Sequence, residues 1–254
     1  MKVTFLGTGT SQGVPVIACK CAVCTSSDPR DSRLRSSVMI ENNGIIIVID
    51  SGPDFRQQML RAKVNHIDGL IFTHEHKDHI AGMDDIRAFN YIHNEKVNVY
   101  ATVRVQEALQ REFPYIFADF KYPGVPEIEM HTFDSTAFFV GSLKIEPIEV
   151  LHYRLPVHGF RIGDFTYITD ANAITNLELN KIRGSKIVVI NALRREPHVS
   201  HFTLNEALEV IEKINPEKAY LTHISHQLGK HTDVNAELPF NVKCAFDELV
   251  LEIN

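Results

Sequence analysis

Thr73-His74-Glu75-His76-Lys77-Asp78-His79 packs three histidines and an aspartate into six residues, directly behind the apolar run Gly69-Leu70-Ile71-Phe72. Imidazole nitrogens and carboxylate oxygens are the donors that a borderline metal such as zinc prefers. A run of this kind, with a strand before it and a helical pattern after it, constrains the chain to a scaffold that fixes a metal at the end of a strand. Because the donors lie on a turn, they can diverge towards two adjacent ions, and a two-metal site points to hydrolysis.

Composition narrows the classes that remain. The 254 residues are 44% apolar and 23% charged, which is ordinary for a globular protein. The formal net charge is -6 and lysines and arginines form no long run, which argues against a general nucleic-acid binder. No segment approaches the roughly 20 apolar residues of a membrane span, and Met1–Gly7 reads as a strand rather than a signal peptide, so a cytoplasmic location is expected. Three of the four cysteines lie in Cys19-Lys20-Cys21-Ala22-Val23-Cys24, too close to bridge one another and well spaced for a metal. Cys244 reads as a buried small hydrophobe.

No linker or low-complexity tract divides the chain, and residues 1–254 read as one domain. β-Branched runs predict strands at Lys2–Leu6, Ser37–Ile40, Gly44–Asp50, Gly69–Phe72, Val97–Ala101, Lys144–Val150, Phe165–Thr169, Lys186–Ile190 and Lys218–Leu221. Helical patterns cover Asp54–Ala62, Asp78–Ile92, Val103–Phe113, Asn176–Lys181 and Thr203–Ile214. Asn42-Asn43-Gly44 predicts a hairpin turn. Strands that pair early and then alternate with helices, twice over, suit an α/β fold of two face-to-face sheets with helices outside.

Four of these runs end on a possible metal donor: His74, His152, Asp170 and His223. Strand ends gathered at one edge would converge these donors into a rigid site. With His74-x-His76-x-Asp78-His79 followed in order by His152, Asp170 and His223, the chain resembles the metallo-β-lactamase superfamily over nearly its whole length. The resemblance implies a four-layer αβ/βα sandwich. It also implies one metal on His74, His76 and His152, a second on Asp78, His79 and His223, and Asp170 bridging the two. Zinc and manganese suit these donors, and a hydroxide shared by the metals would be the nucleophile. A leaving group needs a proton, and His201, just before the helix that begins near Thr203, is the candidate acid.

Cys19, Cys21 and Cys24 supply three ligands where a closed zinc site needs four, and His226, three residues after His223, is the strongest candidate for the fourth. Leu6-Gly7-Thr8-Gly9 leading to the cysteines, the Leu221–Gln227 segment and the placement of His201 narrow the resemblance. They point to the branch related to phosphoribosyl 1,2-cyclic phosphate phosphodiesterase. That likeness implies a structural zinc on the cysteines and His226, and acid–base roles for Asp78 and His201. The expected activity is a dinuclear phosphodiesterase acting on a small phosphodiester, cyclic forms included.

The alternatives are a tRNA 3′-processing endoribonuclease, a carbon-ester, thioester or lactam hydrolase, and a zinc-stabilised binding module with a vestigial site. A redox di-iron role fits less well, because a carboxylate would be expected at His76. Arg33, Arg35, Arg194 and Arg195 are the arginines considered for phosphate, and His198 shares the loop of His201. Substrate-binding residues are otherwise unassigned, and a homodimer is left open.

Overall fold

Strands in this chain carry apolar residues on both faces, which demands a sheet covered on both sides. The computed structural model describes residues 1–253 and supplies that cover. The first half forms β1 (Lys2–Gly7), β2 (Ser37–Asn42), β3 (Ile45–Ile49), β4 (Gly69–Ile71), β5 (Val97–Ala101) and β6 (Ile128–Thr132). The second forms β7 (Phe138–Val140), β8 (Leu143–His152), β9 (Leu155–Ile162), β10 (Phe165–Tyr167), β11 (Ile187–Asn191), β12 (Lys218–Thr222) and β13 (Val242–Cys244). Finally β14 (Val250–Glu252) crosses back to pair with β1. Among the described residues this makes two seven-stranded mixed sheets, ordered β14-β1-β2-β3-β4-β5-β6 and β13-β12-β11-β10-β9-β8-β7.

Side-chain alternation along each strand sorts the core into three layers. Ile47 and Ile49 of β3 and Ile187 and Val189 of β11 meet between the sheets, with Phe5, Phe160, Phe165 and Tyr167. Val48 and Leu70 face outward under α1 (Phe55–Ala62) and the later helices α3 (Arg87–His93) and α4 (Val103–Glu112). On the other sheet Val188 and Ile190 pack beneath α6 (Asn176–Ile182) and α7 (Leu204–Ile214), the latter started by a capping box between Thr203 and Glu206. Helix, sheet, sheet, helix is the four-layer sandwich expected from the sequence. The β2–β3 hairpin turns on Asn43 and Gly44, both at positive φ, as a type I′ turn requires.

One expected helix is broken. Asp78–Ile92 splits into α2 (Lys77–Ile80), a 3-10 turn at Met83–Ile86, and α3. The amide of Gly82 leaves the helical ladder to donate to the carbonyl of Ser51 at 2.8 Å. The backbones cross closely here: a Cβ on Gly52 would collide with the carbonyl oxygen of Asp78, and one on Gly82 with that of Gly52. Gly52→Ala is therefore expected to cost about 1–3 kcal/mol through overpacking against backbone that cannot yield. A denaturant melt should show the loss, and an unchanged midpoint would refute the close approach. Four strands and two short helices, α5 (Pro114–Phe117) and α8 (His231–Glu237), join those expected, together with β7.

Candidate metal centre

Six strand ends open onto one edge of the sandwich. After β3 comes Asp50, after β4 the Thr73–His79 segment, at the end of β8 His152, after β10 Asp170, at the end of β11 Asn191, and after β12 His223. Asp50, Asp170 and His223 all sit in the left-handed region, at φ 66°, 60° and 53°. Non-glycine residues held there carry strain that the surroundings must impose, and such strain collects at functional sites.

Two donor groups result, each with its donor atoms within 4.8 Å of one another: His74, His76, His152 and Asp170, and Asp78, His79, Asp170 and His223. Asp170 belongs to both because its two oxygens point apart. Oδ2 lies 3.7 Å from His74 Nε2, while Oδ1 lies 3.4 Å from His79 Nε2 and 3.0 Å from His223 Nδ1. A tetrahedral ion with bonds of about 2.0–2.1 Å would separate nitrogen and oxygen donors by about 3.3 Å. Asp78 Oδ2, 3.1 Å from His79 Nε2, meets the same spacing.

The histidines are aimed from behind. Nδ1 of His79 donates to Asp50 Oδ2 at 2.7 Å, and Nδ1 of His152 to the Ser200 carbonyl at 2.8 Å. Nδ1 of His74 lies 2.9 Å from Thr73 Oγ1, whose hydroxyl in turn donates to Asp50. Each ring is thereby left to present Nε2, the arrangement by which outer partners orient metal ligands. Nε2 of both His74 and His79 is buried without a hydrogen bond, an expensive state unless a cation occupies the gap.

Electrostatics agree. Burial, reinforced by neighbouring His79, holds His74 well below the ordinary imidazole range, so it is a neutral donor. Burial would lower His79 too, but Asp170, Asp78 and Asp50 around it raise it well above that range. Burial opposes the charge on Asp170, yet His223 and His79 keep its carboxyl well below the usual carboxylate range. Three carboxylates in a buried pocket call for positive charge, and the donor set suits divalent ions.

Cys19, Cys21, Cys24 and His226 form a third group. The sulfurs lie 3.3, 3.4 and 3.4 Å from His226 Nδ1, close to the roughly 3.5 Å between sulfur and nitrogen on a tetrahedral zinc. The amide of Cys24 donates to Cys21 Sγ and lowers that thiol, while burial raises Cys24. Residues 223 and 226 leave the end of β12 in different directions, one to each metal group.

His201 stands over the centre. Its ring stacks on His223 at 4.8 Å and lies 4.5 Å from His152, and its Nδ1 is buried without a partner. Burial, with His223 beside it, holds His201 near a pKa of about 3, so it is neutral while no anion is bound. His198 stacks behind it at 5.1 Å. The four arginines considered for phosphate are all committed elsewhere. Arg33 is buried, donating to Thr8 Oγ1 and the Ala245 carbonyl, and Arg35 pairs with Asp54. Arg194 holds Gln227 and the Pro197 carbonyl, and Arg195 pairs with Glu237.

Two residues escaped the sequence reading. Asp50 ends an apolar strand as His74 and Asp170 do, and the same strand-end signal marks it. Asn191 has both amide atoms on the backbone of Ala171, at 2.8 and 2.9 Å, and so fixes the turn that carries Asp170.

Comparison with known proteins follows the same lines. The profile of the β-lactamase superfamily domain matches residues 46–224, which include both donor groups. The chain belongs to the metallo-β-lactamase superfamily. Within it the chain is similar to the crystal structure of a new diphosphatase from the PhnP family, 39% identical, with a TM-score of 0.93, covering 100% of this chain and 98% of that one. This places it on the branch that includes phosphoribosyl cyclic phosphate phosphodiesterase. An octanoyltransferase of Porphyromonas gingivalis is 36% identical over 98% of this chain and 51% of its own length. A ribonuclease Z of a Nostoc species is 26% identical over 65% of this chain and 47% of its own. The chain thus spans about half the length of the curated relatives it matches. No helix among the described residues is long and apolar enough to cross a membrane.

Proposed function

We propose that the chain is a metal-dependent hydrolase of phosphorus–oxygen bonds, acting on a small phosphodiester or a diphosphate. The observation that carries this reading is His201, an unpartnered imidazole beside His152 of one donor group and His223 of the other. The full-length likeness to a PhnP-family diphosphatase supports the choice of phosphorus over carbon. His74, His76, His152 and Asp170 would hold one divalent ion, and Asp78, His79, Asp170 and His223 the other. Zinc or manganese suits both positions, with a structural zinc on Cys19, Cys21, Cys24 and His226. When bound, such ions supply Lewis acidity, bringing water towards neutral pKa and offsetting charge on phosphate oxygens.

The chain's own residues do the rest. Asp50 keeps the proton of His79, and the Ser200 carbonyl that of His152, on Nδ1, the outer nitrogen. Asp78, largely buried, is kept ionised by His79 beside it, and its place in the second donor group makes it the carboxylate assigned to pass on the proton of the attacking water. An anionic phosphate arriving beside His201 raises that imidazole, so it takes up a proton on binding and returns it to the leaving oxygen. The octanoyltransferase likeness covers only half of that protein, and acyl transfer is not carried over to this chain. The ribonuclease Z likeness is weaker and partial, and the net charge of -6 disfavours RNA as substrate.

The test is a panel of bis(p-nitrophenyl) phosphate, a 2′,3′-cyclic nucleotide, a dinucleoside diphosphate, a thioester and a lactam, each with zinc and with manganese. The phosphorus compounds should be turned over. His201→Ala should lose roughly 100-fold or more in kcat with its metal content unchanged. Preferential cleavage of the thioester or lactam would overturn the assignment.

A further inference from the structure

The turn between β8 and β9 leads straight out of the metal centre. His152 pairs with Leu155, leaving Tyr153 and Arg154 as a two-residue hairpin loop. Tyr153 is at φ 60°, and Arg154 is not at positive φ. That is the II′ pattern, whose first central position favours glycine. A tyrosine kept there, half exposed, does nothing for the turn. Its ring instead supports the neighbouring cation: the Arg154 guanidinium lies 5.2 Å from the ring centroid.

Arg154 also differs from every arginine considered for phosphate. Among the described residues its guanidinium has no carboxylate and no hydrogen-bond acceptor, and Tyr153 is the one ring it meets. It borders a cleft of about 490 Å³ whose walls include His76, His152, Tyr153, Val199 and Ser200. The cleft therefore runs from two residues of the first donor group to an uncommitted guanidinium. Nothing in the metal centre uses that guanidinium, and a planar fork of donors suits phosphate oxygens.

We propose that Arg154, braced by Tyr153, binds a second phosphate of the substrate, so that the preferred substrates carry a diphosphate rather than a single phosphodiester. This rests on the reading of the site as a phosphorus–oxygen hydrolase and names its substrate class. One phosphate lies at the metal centre beside His152, and the next extends along the cleft to the hairpin.

The experiment compares AMP with ADP as ligands of the zinc-loaded protein. Both are measured by calorimetry and as inhibitors of bis(p-nitrophenyl) phosphate turnover. Wild-type protein should bind ADP about tenfold or more tightly than AMP. Arg154→Ala should erase that ratio while kcat/KM for the singly charged bis(p-nitrophenyl) phosphate stays within about twofold, and Arg154→Lys should restore part of it. Tyr153→Gly, which suits the turn better, should keep the melting temperature and still weaken ADP selectively. An unchanged ratio in Arg154→Ala, or equal weakening of both nucleotides, overturns the proposal. Failure of the wild type to cleave any phosphorus compound would instead count against the hydrolase reading, since calorimetry reports the ADP ratio without turnover.

Discussion

Asp170→Ala is expected to empty the active site of metal and abolish hydrolysis, with the sandwich still folded. Asp170 is the one side chain shared by both donor groups, with Oδ2 towards His74 and Oδ1 towards His79 and His223. Removing an outer partner of a metal ligand already costs roughly 10–100-fold in affinity or activity. Removing a ligand common to two ions should exceed that. The loss also changes the charge of the pocket, because one of the buried carboxylates that call for positive charge disappears. Metal analysis should fall from about three ions per chain to about one, the survivor being held by the cysteines. Asp170→Asn separates charge from shape: it keeps a side-chain oxygen but cannot bridge two cations, and should lose at least one ion. If either variant retained both ions, the bridging role would be wrong and the two groups would be independent sites. Circular dichroism should remain that of the native protein, since the turn is held from behind by Asn191 and by the amide of Phe202 donating to Ala171.

Much of this centre could be read from the chain because the chemistry is concentrated at strand ends, and strand ends are where β-branched runs stop. His74, His152, Asp170 and His223 were legible for that reason. Asp50 carries the same mark after Ile45–Ile49, but a lone aspartate after a strand resembles any turn residue until Thr73 and His79 are folded against it. The split of the expected Asp78–Ile92 helix could not be read, since apolar spacing continues through Ala81-Gly82. Only the tertiary approach of Ser51 takes the Gly82 amide out of the ladder. Strand β9 was hidden in a similar way, as Pro156 and Gly159 depress its propensity although it is the neighbour of β8 and β10. The arginines show the limit most clearly. Proximity in sequence singled out Arg33, Arg35, Arg194 and Arg195, whereas freedom from a partner combined with a place on the cleft beside His76 and His152, which only the fold reveals, points to Arg154.

His226→Ala should separate stability from chemistry. In this variant the three thiols lose their fourth donor, and the metal count should fall by one. The segment they fasten is long: the cysteines lie between Thr10 and Arg33, and the chain returns to the sheet through contacts of Gly9 with Leu34 and Ile224. Freed of its clamp, that segment regains conformational entropy, and the apparent melting temperature should drop by ten degrees or more. At roughly 2–4 °C per kcal/mol for a chain of this size, such a drop corresponds to about 3–5 kcal/mol. Structural zinc sites release larger energies in isolated peptides, so the figure is well within reach of one ion. Activity at saturating metal should survive to within about tenfold. The small loss has a route, because Thr10 Oγ1 lies 3.3 Å from His223 Nε2 and its strap becomes looser. Cys21→Ser should behave in the same way. A variant that melted like wild type yet lost all turnover would move this cluster from scaffold to active site, and the structural assignment of the third ion would fall with it.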